Sequence, residues 1–207
     1  EILIGLVGSE MCIRDRDIRI LTISGLLHDI GKIMIPNEIL TKPGKLTVAE
    51  YNIMKQHVNF GYEKVKNQNI DIRIKEACLL HHEKCDGTGY PFGLKSDHIP
   101  AVAKIIAIAD VYDAMTSARV YRGALCPFEV IDTMYKDAFT KFEPEYILPF
   151  LKNVASSYIN NDVRLSDGRI GKVVLINENA LSLPIVQCED EFIDLSKTRG
   201  LTVSAIL

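Results

Sequence analysis

The sequence predicts a mainly α-helical domain with a small C-terminal antiparallel β module. Two observations carry this reading. From Asp17 to about Tyr158 the apolar residues recur at helical spacing, and at about Asn160 the period shortens to that of short strands. A chain of 207 residues with 47% hydrophobic and 25% charged content is enough for one sizeable packed domain and a small appendage. The expected division is residues 17–158 for the helical domain and 159–207 for the β extension. Residues 1–16, EILIGLVGSEMCIRDR, differ in character from the rest of the chain. Their VGSEMCIRDR part resembles translated sequencing-adapter read-through, so genuine protein is expected to begin near Asp17.

In chain order, Ile20, Ile23, Leu27 and Ile30 keep one helical face, with Gly31 as the expected stop. Residues 36–46 contain Pro43-Gly44 and read as a loop or a short helical turn. Thr47-Val48-Ala49-Glu50 is a capping-box signature, predicting a helix that carries Tyr51, Met54, Val58 and Val65. A further helix is expected from about Ile70 to Glu83. It breaks into CDGTGYPFG, where three glycines and a proline within nine residues demand a loop. Pro100 suits the first turn of a strongly apolar helix, AVAKIIAIADVYDAMTS. FEVIDTMYKDAF and PEYILPFLKNVASSY add two more helices. VRL, IGKVVLI, LPIVQC, FIDL and TVSAIL, separated by SDG, NEN and ED, read as strands joined by turns.

Composition narrows the function. A net charge of −3 gives no overall basic field towards DNA or an anionic membrane, so a phosphate ligand would need local cations or metal. Five cysteines with irregular spacing and no C-x-x-C pair suit a reducing cytoplasm. No apolar run approaches the roughly 20 residues of a membrane span.

The chemistry concentrates in few residues. Of five histidines, four stand beside carboxylates or each other or recur on helices: His28-Asp29, His57 and His81-His82. Asp110 interrupts an apolar helix, where a carboxylate is costly to bury unless paired or metal-bound. Taken singly, each has a bland explanation as a core or surface side chain. Together, four imidazoles and two carboxylates form a donor set suited to divalent transition metals. Adjacent helical residues diverge by about 100°, so His81 and His82 are expected to reach two neighbouring ions rather than share one. Asp29, with two oxygens, could bridge them. Two bridged ions are a phosphohydrolase arrangement.

LLHDIGKIMIP, His57, HHEKCDGTGYP and IAIADVYDAMTSARVYR, in that order, resemble the HD-GYP family of bacterial cyclic di-GMP phosphodiesterases. The resemblance covers residues 17–158, about two thirds of the chain. It implies an HD-domain helical bundle in which His28, Asp29, His57, His81, His82 and Asp110 bind two divalent ions, iron or manganese, with Asp29 bridging. It implies that Lys32 neutralises a substrate phosphate oxygen and that Arg119 and Arg122 grip phosphates. By composition alone these three are helix-end charges. Gly89-Tyr90-Pro91 is similar to the family's site-lining loop, with Tyr90 placed to stack or hydrogen-bond near a guanine. Glu83 is expected to orient a ligand histidine, and Asp113 to hydrogen-bond within the site or cap a neighbour. His98 and Cys85 are left as a surface residue and an incidental one. The mechanism implied is attack of a metal hydroxide on phosphorus, giving linear pGpG and, on further cleavage, GMP.

The sequence departs from the family at its start. Family members carry a preceding helix, which in some supplies a glutamate and a histidine to a third metal. Here those positions fall before residue 17, where Glu10 and Cys12 are poor substitutes. An N-terminal receiver or sensory domain is expected to be missing as well. The expected partners are cyclic di-GMP and, through the GYP loop, GGDEF-type cyclases. Alternatives are a catalytically impaired dinucleotide-binding or docking module, and an HD hydrolase acting on a hybrid cyclic dinucleotide.

Overall fold

The computed structural model describes residues 15–117 and 124–207. Helix α1 (Asp15–Leu27) buries Ile20, Leu21 and Ser24. It ends at Leu27, before the expected stop at Gly31, and the chain turns through His28-Asp29 into a 3-10 helix, Ile30–Met34. Gly31 serves another purpose: its backbone lies against α4, where a Cβ would meet His57 O at 1.9 Å and Gly61 N at 2.4 Å. Only glycine allows two backbones so close.

A single turn, α2 (Asn37–Leu40), falls where a loop or a short helical turn is predicted. Thr47 and Glu50 form the predicted capping box at the start of α3 (Val48–Met54), through hydrogen bonds Glu50 N to Thr47 Oγ1 (3.3 Å) and Thr47 N to Glu50 Oε2 (2.7 Å). The helix expected to continue breaks at Lys55-Gln56, and α4 (His57–Val65) starts at His57 itself. Helix α5 (Ile72–Leu80) is capped by Asp71, whose side chain accepts from Arg73 N. Arg73 also reaches Asp17 at 2.6 Å, tying α5 to α1.

Helix α6 (Ala101–Thr116) runs through the middle. Val102, Ala103, Ile105, Ile106, Ala107, Ile108 and Tyr112 are all buried, as its all-round apolar sequence requires. Helices α7 (Pro127–Asp137) and α8 (Pro144–Ser157) each begin with the proline that the first helical position favours. No helix among the described residues is long and apolar enough to cross a membrane.

All five predicted strand runs form strands: β1 (Asp162–Leu165), β2 (Ile170–Leu175), β3 (Ile185–Cys188), β4 (Glu191–Asp194) and β5 (Val203–Ile206). They make one antiparallel sheet in the order β4-β3-β2-β1-β5. Its inner residues Val163, Leu165, Val173 and Val186 join Ile131, Phe150 and Ile106 in one continuous core. The sheet therefore shares the helical domain's core. A smaller cluster of Leu80, Ile99 and Ala103 lies apart from it.

Candidate metal centre

Four segments converge: the turn after α1, the start of α4, the end of α5 and the middle of α6. Each of three histidines is held by the turn preceding it. His28 Nδ1 donates to Gly25 O (2.8 Å), His57 Nδ1 to Met54 O (2.8 Å) and His81 Nδ1 to Ala77 O (2.9 Å). A carbonyl can only accept, so each Nδ1 carries a proton and each ring, when neutral, presents a bare Nε2. That is how ligand imidazoles are oriented in metal sites. The break before His57 creates its anchor, because it leaves Met54 O facing the ring.

The Nε2 atoms point inwards. His57 Nε2 and His81 Nε2 lie 3.4 Å apart, neither with a proton to offer. Asp29 Oδ1 lies 3.3 Å from the first and 3.8 Å from the second, and it is buried without a hydrogen bond. Asp29 Oδ2 faces the other way, 3.3 Å from His28 Nε2 and in contact with Lys32 Nζ. Asp110 completes that side, with Oδ1 3.7 Å from His28 Nε2 and Oδ2 4.0 Å from His82 Nδ1.

Two donor groups result, Asp29/His57/His81/His82 and His28/Asp29/Asp110, the donor atoms of each within 4.8 Å of one another. Asp29 belongs to both, as a bridging ligand must. Three acceptor atoms facing one another with no donor between them are unstable without a cation, so the residues fit a pair of divalent ions. His81 and His82 fall in the same donor group, because α5 ends at Leu80 and the following turn tilts the two rings together, 4.2 Å between centroids. The 100° divergence of adjacent residues holds only inside a helix.

The electrostatics agree. Burial holds His57 below the usual imidazole range, and burial with the neighbouring imidazoles pushes His81 down to about 3. Burial also pushes His82 down to about 4, against the pull of Asp110. These three rings are neutral at pH 7 and ready to bind metal. At His28 burial is outweighed by hydrogen bonds to Asp110 and Asp29, which push it up to about 10. Asp29, despite burial, is held well below the carboxylate range by His28 and Lys32, and Asp110 is lowered by His28 and His82. A field that keeps a proton on an imidazole at neutral pH is one that attracts cations.

The GYP loop closes one wall. Tyr90 stacks on His82, 4.7 Å between centroids and 27° between planes. The Tyr90-Pro91 peptide is cis, and Tyr90 N donates to His82 O (3.2 Å). Gly89 is needed there, since a Cβ would sit 2.5 Å from Glu83 Cα. Glu83 corrects the expectation placed on it. Its buried carboxylate accepts from Phe92 N (2.7 Å), Gly93 N (3.2 Å) and Leu94 N (2.9 Å), so it anchors the loop instead of orienting a histidine. Asp113 is exposed and accepts from Ser117 Oγ at the end of α6, outside the donor groups. His98 is on the surface, paired with Asp97. Arg119 and Arg122 lie outside the described residues.

Sequence reasoning missed the parts played by Gly31 and Gly61. The pattern around Gly31 suggests only a helix stop, and nothing in the residue types around Gly61 signals that the two backbones meet.

A family model described as HD domain matches residues 4–146. A cyclic di-GMP phosphodiesterase response regulator of Xanthomonas campestris is 40% identical over 153 residues, 73% of this chain and 40% of that protein. A 3'3'-cGAMP-specific phosphodiesterase of Vibrio cholerae is 40% identical over 124 residues, 58% of this chain and 24% of that protein. The chain thus spans less than half the length of these relatives. Among solved structures, an HDG"Y"P protein from Bdellovibrio bacteriovorus superposes with a TM-score of 0.59 at 22% identity, covering 72% of this chain and 47% of that one.

Proposed function

The chain belongs to the HD domain family, and from that premise we propose that it is a metal-dependent phosphodiesterase of the HD-GYP type acting on cyclic di-GMP. His28, Asp29, His57, His81, His82 and Asp110 would hold the ions, with Asp29 shared by the two donor groups. The observation that carries this is the cluster of bare His57 and His81 nitrogens around the unbonded Asp29 Oδ1. Iron or manganese suits a donor set of imidazoles and carboxylates without thiolate. Such ions, when bound, supply Lewis acidity and fixed positive charge to a phosphate.

The chain's own residues do the rest. Lys32, paired with Asp29 and 38% exposed, can turn its ammonium from the carboxylate to a phosphate oxygen. The stacked Tyr90–His82 pair lines one side of the site and offers an aromatic surface to a base. Arg119 and Arg122 are assigned to the phosphates on the family pattern. The product is pGpG, cut further to GMP if it rebinds. Phe92 at 63% exposure supports the GYP loop as the docking surface for a GGDEF-type cyclase. The reaction is assigned to the cytoplasm, in keeping with the unpaired thiols of Cys78, Cys85, Cys126 and Cys188.

A second reading, a hybrid cyclic dinucleotide as substrate, is favoured by the likeness to the Vibrio enzyme. The test is anaerobic assay of iron- or manganese-loaded protein against both cyclic dinucleotides, reading linear products by chromatography. Cyclic di-GMP turnover that is abolished in His28→Ala and Asp29→Ala supports the proposal. Turnover of the hybrid alone selects the second reading, and tight binding without turnover selects a sensing module.

A further inference from the structure

Lys55 sits on the turn between α3 and α4, two residues ahead of His57. Its Nζ lies 5.3 Å from the centroid of the Tyr51 ring and 5.9 Å from that of Tyr90. Tyr90 in turn stacks on His82, so one ring links the surroundings of this cation to the candidate metal ligands. Lys32, Lys42 and Lys104 are each committed to a carboxylate. Among the described residues Lys55 forms no ion pair. Aromatic faces hold an ammonium by electrostatic attraction but accept few of its hydrogen bonds, so its three N–H donors remain for an anion. Tyr51 is 49% exposed, a large ring left in water beside a cation. Such pairings of aromatic face and positive charge are how proteins hold single-stranded nucleotides.

The two donor groups adjoin through Asp29, so the ions they would hold serve a single phosphodiester. A cyclic dinucleotide brings a second phosphate and two bases, and in a chain of net charge −3 the countercharge must be placed locally. We infer that Lys55, Tyr51 and Tyr90 form a second subsite, in which Lys55 binds the phosphate that is not being cleaved and the Tyr51 face takes a base. This rests on the reading of the chain as a cyclic dinucleotide phosphodiesterase. Lys55 is thus a specificity residue, separating dinucleotides from simple phosphodiesters.

The test uses the metal-loaded chain and its Lys55→Gln and Lys55→Arg variants. Affinity for a hydrolysis-resistant phosphorothioate analogue of cyclic di-GMP is measured by titration calorimetry. Turnover of cyclic di-GMP is compared with that of bis(p-nitrophenyl) phosphate, which has a single phosphate. In Lys55→Gln the affinity should fall about tenfold, or about 1.4 kcal/mol, and the ratio of kcat/KM for cyclic di-GMP over the small diester should fall equally. Lys55→Arg should recover most of both. Equal affinity in wild type and Lys55→Gln overturns the subsite, as does a parallel loss on both substrates, which would mean that Lys55 acts through His57. If the wild type cleaves only the small diester and does not bind the analogue, the substrate reading falls and the subsite falls with it. Normal cyclic di-GMP cleavage by both wild type and Lys55→Gln removes the subsite alone.

Discussion

Replacing Gly31 with alanine should cost this protein its metal before it costs its fold. The new Cβ would lie 1.9 Å from His57 O, 2.4 Å from Gly61 N and 2.9 Å from His57 C. Cβ contacts below 3.0 Å essentially do not occur, so the 3-10 helix and α4 must part by at least about 1 Å. The atoms in the way are backbone, and no change of rotamer relieves them. Overpacking of this kind costs about 1–3 kcal/mol. At roughly 2–4 °C per kcal/mol for a chain of this size, Tm should drop by about 2–12 °C. Against a stability of about 5–15 kcal/mol, most molecules stay folded. The site has less latitude. His57 Nε2 faces Asp29 Oδ1 at 3.3 Å, and a shift of about 1 Å is half the length of a typical metal–imidazole bond. A misplacement of this size costs roughly 100-fold in turnover. The assay is metal content by plasma mass spectrometry, turnover, and Tm by scanning fluorimetry. Gly168→Ala serves as the control, because Gly168 has φ +93° with nothing within 4 Å of a new Cβ. It should lose stability through backbone strain yet keep its metal. Full metal occupancy in Gly31→Ala with turnover within twofold of wild type would refute the reasoning.

Glu83→Gln sets an amide NH2 against a loop N–H that now donates to a carboxylate. KM should rise about tenfold, matching the loss of one charge-assisted hydrogen bond, with metal content retained; loss of metal at unchanged KM would contradict the loop-anchor role. In the metal-free protein, His81 and His82 have folded pKa values below the unfolded 6.5, so their share of stability is full above about pH 6.5 and is lost as pH falls towards 3–4; His57, lowered by burial, acts in the same direction. His28, raised to about 10, contributes below pH 6.5 and loses that contribution as pH rises through 10. Tm of metal-free protein should therefore peak near neutrality, with the alkaline limb weakened in His28→Gln; a Tm flat from pH 4 to 10 would count against these environments. Leu165→Ala, at a strand position 1% exposed in the shared core, should cost about 2–5 kcal/mol and lower one cooperative melting transition. Separate melting of sheet and helices would show that the core is not continuous.

Several elements are legible in the sequence because their signals are local. The Thr47/Glu50 box needs only four residues to satisfy its own backbone, and it forms as predicted. The five strand runs are bounded by turn residues whose preferences act over two or three positions, and each run forms a strand. Helix ends are harder. The helix expected to run past His57 breaks at Lys55-Gln56, and α1 stops short of Gly31, because the Gly31–Gly61 approach and the histidine anchors outweigh propensity. The role of Glu83 is hidden for a similar reason: its partners, Phe92, Gly93 and Leu94, come from a loop whose path no spacing rule gives.

The sequence by itself determined the chemistry on offer: which donors exist, their order, and that a carboxylate inside an apolar helix must find a partner. Donor type is a property of single residues, and helical period is a property of neighbours, so both survive without coordinates. Only the tertiary structure decided that Asp29 faces two donor groups, that His81 and His82 join His57 in one of them, and that Lys55 comes near Tyr90. Those are distances between residues far apart in the chain. They are set by where helices end and by how closely two glycine backbones can pack, and no local rule carries that information.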